Sequence, residues 1–210
     1  MGTDVRVVLF DYEKYLSVLV PAFNKARDSG DTGDIASLLT EAAASPAASK
    51  WGDFSEAVFD EALGILRGDV PYGVKGRIVE SEPTAPDDML YFIRYMCVPD
   101  LIGLFIPDVE GFVPEQDMSR SHLPLLLYEQ SRWIEDYFTF SREVSGPVME
   151  LYFGEWCRLF SSQDVEEFHR ELLRIAPPDD TRLATQVANL QRLVAAAHAN
   201  EQWSLLLRLL

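Results

Sequence analysis

Apolar residues recur every three or four positions along most of the 210-residue chain. This spacing places them on one face of an α-helix. The pattern predicts a mainly α fold, a bundle or array of about eight helices, in one domain that spans residues 1–210. The irregular residues 68–88 form a long connection for a compact domain, and they are the best candidate for a domain boundary.

Residues 5–10 form a β-branched run, Val-Arg-Val-Val-Leu-Phe, that predicts a short strand. Arg77 to Glu80 is a second short strand candidate. Pairing of residues 5–9 with residues 77–80 would give a two-stranded β element beside the helices. The helix that follows, near residues 11–28, contains Pro21, whose missing N–H predicts a kink or a break.

Helical spacing also extends through the last third of the chain. One helix is predicted over residues 121–140, and a second opens at Gly146-Pro147 and continues to Phe160. The stretch Ser161-Ser162-Gln163-Asp164 is a helix-start signal, and Pro177-Pro178-Asp179-Asp180 is predicted to end that helix and cap the next one. A last helical turn or two is expected after Asn200.

The chain carries a strong acidic excess, with 34 Asp and Glu against 18 Lys and Arg and a formal net charge of -16. Each half contributes equally, since residues 1–105 and residues 106–210 both hold 9 basic and 17 acidic side chains, and 9 − 17 = -8. Such a surface repels nucleic acid and anionic membranes and attracts basic proteins. We therefore expect no nucleic-acid partner and no membrane partner.

The residues that usually carry metal or covalent chemistry are sparse. The chain has two cysteines and three histidines, and one Glu-x-x-His pair, Glu166 with His169. Carboxylate di-iron sites need that pair twice, so we interpret His169 as structural. Cys157 lies in an apolar stretch that would raise the pKa of a thiol. No metal, no cofactor and no phosphate-binding loop is predicted.

An acidic loop is predicted at residues 107–118. It does not match the ligand spacing of an EF-hand calcium loop. Its carboxylates flank two apolar residues, so the loop is either a solvated connection or a contact surface for a basic partner. The candidate partner-contact residues are Asp108, Glu110, Phe112, Glu115 and Asp117.

Aromatic residues are dense between Trp133 and Phe160. At helical spacing they form either a core or a groove for a ligand or a partner helix. Carboxylates in the same helices are candidates for a general acid and base pair, but their positions are explained equally well by solvated helix faces. These carboxylates are Glu129, Glu135, Asp136, Glu150 and Glu155.

The sequence does not identify an activity. The favoured interpretation is a cytoplasmic, non-catalytic module whose acidic surface binds another protein, for example a basic enzyme in the manner of an immunity protein. The alternative is a ligand-binding or enzymatic helical domain with a pocket of aromatics and carboxylates. The oligomeric state stays open.

Overall fold

The computed structural model describes residues 5–45, 56–69, 93, 101–111, 113–118, 122–139 and 157–209. The chain forms two compact units. The helical unit contains Lys14–Phe105 and Leu151–Gly154, and the sheet unit contains Met1–Glu13, Ile106–Glu150 and Glu155–Leu210. The predicted single domain, and the candidate domain boundary at residues 68–88, stay predictions, since most of that stretch lies outside the described residues.

The helical unit begins within a helix that Pro21 modifies without ending it. A short helical stretch at Tyr12–Lys14 leads into a π-helical turn, Tyr15–Leu19, and then into α1, Val20–Ser29. The Val20 N–H donates to the Tyr15 carbonyl, five residues back. Pro21 has no N–H to donate. Just before it, the backbone N–H bonds to the carbonyl five residues back instead of four, which is the π-helical pattern. The predicted kink or break is a π-helical turn.

The described part of this unit contains two further α-helices, α2 at Gly33–Ala44 and α3 at Glu56–Arg67. A turn of 3-10 helix follows at Ile102–Phe105. The predicted stop at Gly68 is confirmed by its φ of 76°, a left-handed conformation that favours glycine. The apolar stripes of α2 and α3 face inward, with buried residues Ile35, Leu38, Leu39, Ala42, Ala62, Leu63, Ile65 and Leu66.

In the described residues, the sheet unit contains four antiparallel strands, which are β1 at Val5–Asp11, β2 at Glu115–Asp117, β3 at Cys157–Leu159 and β4 at Trp203–Leu209. Their order across the sheet is β2-β1-β4-β3. The predicted strand at residues 5–9 is confirmed. Its predicted partner, residues 77–80, lies outside the described residues, and both edges of β1 are occupied by β2 and β4. The two-stranded element is replaced by a four-stranded sheet.

Two predicted helical segments are strands instead. Residues 203–209 form β4 rather than a last helical turn, and residues 157–159 form β3 rather than the end of a helix. Leu205, Leu206 and Leu207 are all fully buried. Neighbouring strand residues point to opposite faces, so both faces of β4 are covered. A strand buried on both faces has no alternating pattern to distinguish it from a helix.

Among the described residues, the sheet unit contains four helices: α4 at Leu123–Gln130, α5 at Arg132–Phe138, α6 at Ser162–Leu172 and α7 at Thr181–Ala199. The helix predicted over residues 121–140 is therefore two helices. Ser131 separates them in an extended conformation and caps α5 by accepting from the Ile134 N–H. Seven helices make up most of the described residues, so the class is mainly α with a small sheet.

The predicted caps of α6 and α7 are confirmed. Ser161 and Asp164 form a reciprocal capping box at the start of α6. Asp180 caps α7 by accepting from the Leu183 N–H at 2.9 Å. Helix α7 packs across β1, β2 and β4. The core between helices and sheet includes Val7, Leu9, Leu205 and Leu207 from the strands and Phe168, Leu172, Leu190, Leu193 and Val194 from the helices.

Candidate functional site: the acidic segment on strand β2

Residues 107–118, called the acidic segment below, are anchored to the sheet unit at both ends. Val109 packs against the core, and Met118 lies within it. The Leu9 N–H donates to the Pro114 carbonyl at 2.8 Å, and the Met118 N–H donates to the Val5 carbonyl at 2.8 Å. The segment is therefore not a loop throughout, because its second half forms β2 against β1.

Most of the predicted contact residues are exposed. Asp108 and Glu110 precede the turn at Gly111, where φ is 89°, and both are open to solvent. Glu115 is half-buried on β2, and Asp117 is exposed there, opposite Arg6 in the strand register. Phe112 lies outside the described residues.

Three of these carboxylates have no partner within the part of the chain that the structure describes. The side chains of Asp108, Glu110 and Glu115 form no ion pair and no hydrogen bond there. Next to them Val113 leaves 67% of its surface exposed. Within the described ranges, the segment thus combines carboxylates that have no cationic partner with an exposed apolar side chain, and its second half is held by the sheet.

The described aromatic residues of the sheet unit form a core rather than a groove. Tyr137, Phe138, Phe160 and Phe168 are all buried. Their rings pack directly on one another, with centroids 4.3 Å apart for Tyr137 and Phe160 and 5.5 Å apart for Phe160 and Phe168. The described rings therefore pack as core, and residues 140–156 of the aromatic region lie outside the described residues.

Carboxylates that were not among the predicted site residues connect α6 to α5. Ser131 donates to Glu171 at 2.9 Å, Trp133 Nε1 donates to Glu167 at 2.6 Å, and the Tyr137 hydroxyl donates to Asp164 at 3.3 Å. The three carboxylates follow helical spacing on one face of α6, and that spacing was visible in the sequence. Their donors come from another part of the chain, so only the tertiary structure identifies the carboxylates as structural acceptors.

A buried cation lies beside this row of carboxylates. Arg158 on β3 is only 5% exposed, and its Nη1 donates to the Tyr137 carbonyl at 2.6 Å. The guanidinium carbon lies 5.0 Å from the centre of the Tyr137 ring. Burial lowers the pKa of Arg158, whereas Tyr137 and Asp164 raise it. Since the buried Arg158 donates a hydrogen bond to a backbone carbonyl of α5, we assign it a structural role.

The carboxylates considered for acid and base chemistry do not converge in the described residues. Glu129 is exposed, and Glu135 and Asp136 pair with Arg132 on the surface of α5 at 3.2 and 2.9 Å. Glu150 and Glu155 lie outside the described residues. The described members of this set therefore behave as solvated groups on helix faces.

His169 on α6 stacks on His198 of α7, with ring centroids 4.5 Å apart and planes inclined by 25°. Its i−3 neighbour Glu166 is exposed. Burial lowers the pKa of His169, and the nearby charge of His198 lowers it further. The packing of the two imidazoles links α6 to α7.

This histidine pair predicts a loss of stability on acidification. An unfolded histidine titrates near pH 6.5, and the folded pKa of His169 lies below that value. Between these two pKa values the unfolded state binds more protons, so the free energy of unfolding falls as the pH drops below about 6.5. Urea unfolding measured between about pH 7.5 and 5.5 checks this expectation. His169→Gln removes the group whose pKa is lowered and should flatten the profile, and an unchanged profile would contradict the assignment.

The structure gives no indication of a metal site or a membrane-spanning helix in its described ranges. No group of three His, Cys, Asp or Glu side chains is placed there to hold a metal ion. None of the helices described is both long and apolar enough to cross a bilayer. The expected absence of bound metal stays a prediction.

Comparison with protein-family models, with curated proteins and with solved structures finds no match.

Proposed function

We propose that this chain is a non-catalytic binding module whose acidic segment engages a basic protein. The observation that carries the proposal is the set of three carboxylates, Asp108, Glu110 and Glu115, that have no partner among the described residues, in the same segment as the exposed Val113. Interfaces combine an apolar contact with a polar rim, and this segment supplies both. The net charge of -16 adds long-range attraction for a basic surface. Blocking of a basic enzyme, as immunity proteins do, is one form of this function.

The attraction is expected to act mainly on the rate of association. Exposed charges steer a partner toward the surface, and salt screens that steering over about 10 Å at 0.1 M ionic strength. Contacts formed after docking determine how long the complex lasts. The proposal therefore predicts a salt-sensitive association rate and a less sensitive dissociation rate.

Charge reversal within the acidic segment tests the proposal. The test variant carries Asp108→Lys, Glu110→Lys and Glu115→Lys. The control variant carries Glu129→Lys, Asp179→Lys and Glu201→Lys, which are exposed carboxylates of the sheet unit outside the segment. Both variants change the net charge equally. We expect the test variant to slow association with the partner by roughly tenfold at low salt, whereas the control variant changes it far less.

The measurement has two steps. Wild type and both variants are immobilised, and basic proteins retained from native lysate are identified at low and high salt. Association and dissociation rates of the retained protein are then measured by biolayer interferometry. Equal retention by all three proteins would contradict the proposal, as would association rates that do not depend on salt.

A further inference from the structure

Three arginines of the sheet unit have no carboxylate partner within the described residues. The described cationic side chains that form neither an ion pair nor a hydrogen bond are those of Arg170, Arg182 and Arg192. All three are exposed and belong to helices α6 and α7. Even Glu166, four positions before Arg170 and well placed to pair with it, forms no ion pair there. In a chain with 34 Asp and Glu for 18 Lys and Arg, such arginines can take a carboxylate from another molecule.

Two of these arginines lie near an exposed leucine at the end of α6. Leu173 is 66% exposed, and Arg170 precedes it by about one helical turn. Gln191 Nε2 on α7 donates to the Leu172 carbonyl at 3.0 Å. Because Leu173 and Arg192 directly follow these two bonded residues, the bond brings Arg192 close to Leu173 across the two helices.

A third arginine belongs to the same group. Arg174 follows Leu173, is exposed, and pairs with Glu171 at 2.7 Å. The surface formed by Arg170, Leu173, Arg174 and Arg192 is called the arginine face below. It combines positive charge with an exposed apolar side chain, which is the chemistry of a docking surface for a carboxylate-bearing segment.

The arginine face is complementary to the acidic segment. The acidic segment has three carboxylates without a partner in the described residues, and it contains Val113, which is 67% exposed. Both surfaces belong to the sheet unit. No ion pair joins them in the part of the chain that the structure describes. Their charges can therefore be matched by a contact between two molecules.

We propose that the acidic segment of one copy of this chain docks on the arginine face of a second copy. Two different surfaces meet in this contact, so it is heterologous. The net charge of -16 makes whole copies repel each other, but salt at about 0.15 M screens that repulsion beyond about 8 Å. Arginine and carboxylate groups in contact lie only about 3 Å apart. The inference adds regulation to the proposed function and rests on it, because a docked copy would compete with the basic partner for the acidic segment.

Two neutralised variants test the contact by mixing. The segment variant carries Asp108→Asn, Glu110→Gln and Glu115→Gln, and the face variant carries Arg170→Gln and Arg192→Gln. Sedimentation velocity of the full chain is measured up to about 200 μM in about 0.15 M salt. We expect the wild-type mass to rise with concentration above the 23.7 kDa of one copy. Each variant alone should stay monomeric, whereas an equimolar mixture should form 1:1 dimers, because each variant keeps the surface that the other lacks.

Arg182→Gln is the matched control. Arg182 is also exposed and without a carboxylate partner in the described ranges, but it lies ten positions before Arg192 at the other end of α7. Its replacement should change the Kd of self-association by less than about twofold. Leu173→Ala should raise that Kd by roughly fivefold, because it removes the apolar centre of the arginine face.

The outcomes separate this inference from the proposed function. A wild type that stays monomeric, a variant that self-associates alone, or a mixture that stays monomeric would each overturn the contact between copies. If the protein with lysines in its acidic segment nevertheless loses its basic partner, the proposed function survives without self-association. If that protein keeps its basic partner as well, both fail.

Discussion

Phe168→Ala is expected to lower the free energy of unfolding by about 3–5 kcal/mol, as truncation of buried phenylalanines does. The Phe168 side chain is fully buried on α6. Its ring centroid lies 5.8 Å from that of Trp133, 5.5 Å from that of Phe138 and 5.5 Å from that of Phe160. Alanine would leave a cavity where three aromatic side chains meet. For a chain of this size the melting temperature should fall by roughly 6–20 °C, measured by circular dichroism.

Leu173→Ala is the control for this prediction. Leu173 follows α6 directly but is 66% exposed, so its truncation should change stability by less than about 0.5 kcal/mol. A Phe168→Ala protein that melts as close to wild type as the Leu173→Ala protein does would show that the aromatic cluster is not the core of the sheet unit.

Removal of Arg158 is expected to have the second large effect. Arg158→Ala deletes a buried side chain together with its bond to the Tyr137 carbonyl, and it should cost about 3–5 kcal/mol. Arg158→Met keeps much of the apolar volume and leaves that carbonyl without this donor, so it should cost about 1–3 kcal/mol. Denaturant unfolding of both variants measures the two losses. A loss below about 0.5 kcal/mol for Arg158→Ala would contradict the structural role.

A double-mutant cycle with Asp164→Asn separates charge from packing. Asp164 raises the pKa of Arg158, which indicates a favourable interaction between the two charges. Asparagine keeps an oxygen that can accept the Ser161 N–H of the capping box. Arg158→Met should therefore cost at least about 0.5 kcal/mol less in the Asp164→Asn background than in wild type. If Arg158→Met lowers the free energy of unfolding equally in both backgrounds, its effect comes entirely from packing and from the lost hydrogen bond to the Tyr137 carbonyl.

Only some features of the acidic segment could be predicted from the sequence. The high density of carboxylates and their lack of EF-hand spacing were readable from residues 107–118 alone. That Glu115 and Asp117 lie on a strand was not readable, because three polar residues carry little β propensity of their own. Their pairing partner, β1, is more than a hundred positions earlier in the chain. The strand that carries these two carboxylates therefore came only from the structure.

The sequence by itself determined the features that depend on neighbouring residues. The capping box at Ser161, the cap at Asp180 and the stop at Gly68 each act within one helical turn, so local chemistry was sufficient to locate the ends of α6, α7 and α3. The effect of Pro21 was also local, although its form as a π-helical turn was not foreseen.

Tertiary structure decided the features that depend on distant partners. Residues 203–209 have an apolar pattern that suits a helix or a doubly buried strand, and pairing with β1 on one side and β3 on the other selected the strand. Likewise, the carboxylates of α6 shared one helical face in the sequence, but their half-buried hydrogen bonds to Ser131, Trp133 and Tyr137 were visible only in the structure. Local chemistry sets where a helix begins and ends, whereas burial and strand pairing require residues that only the folded chain brings together.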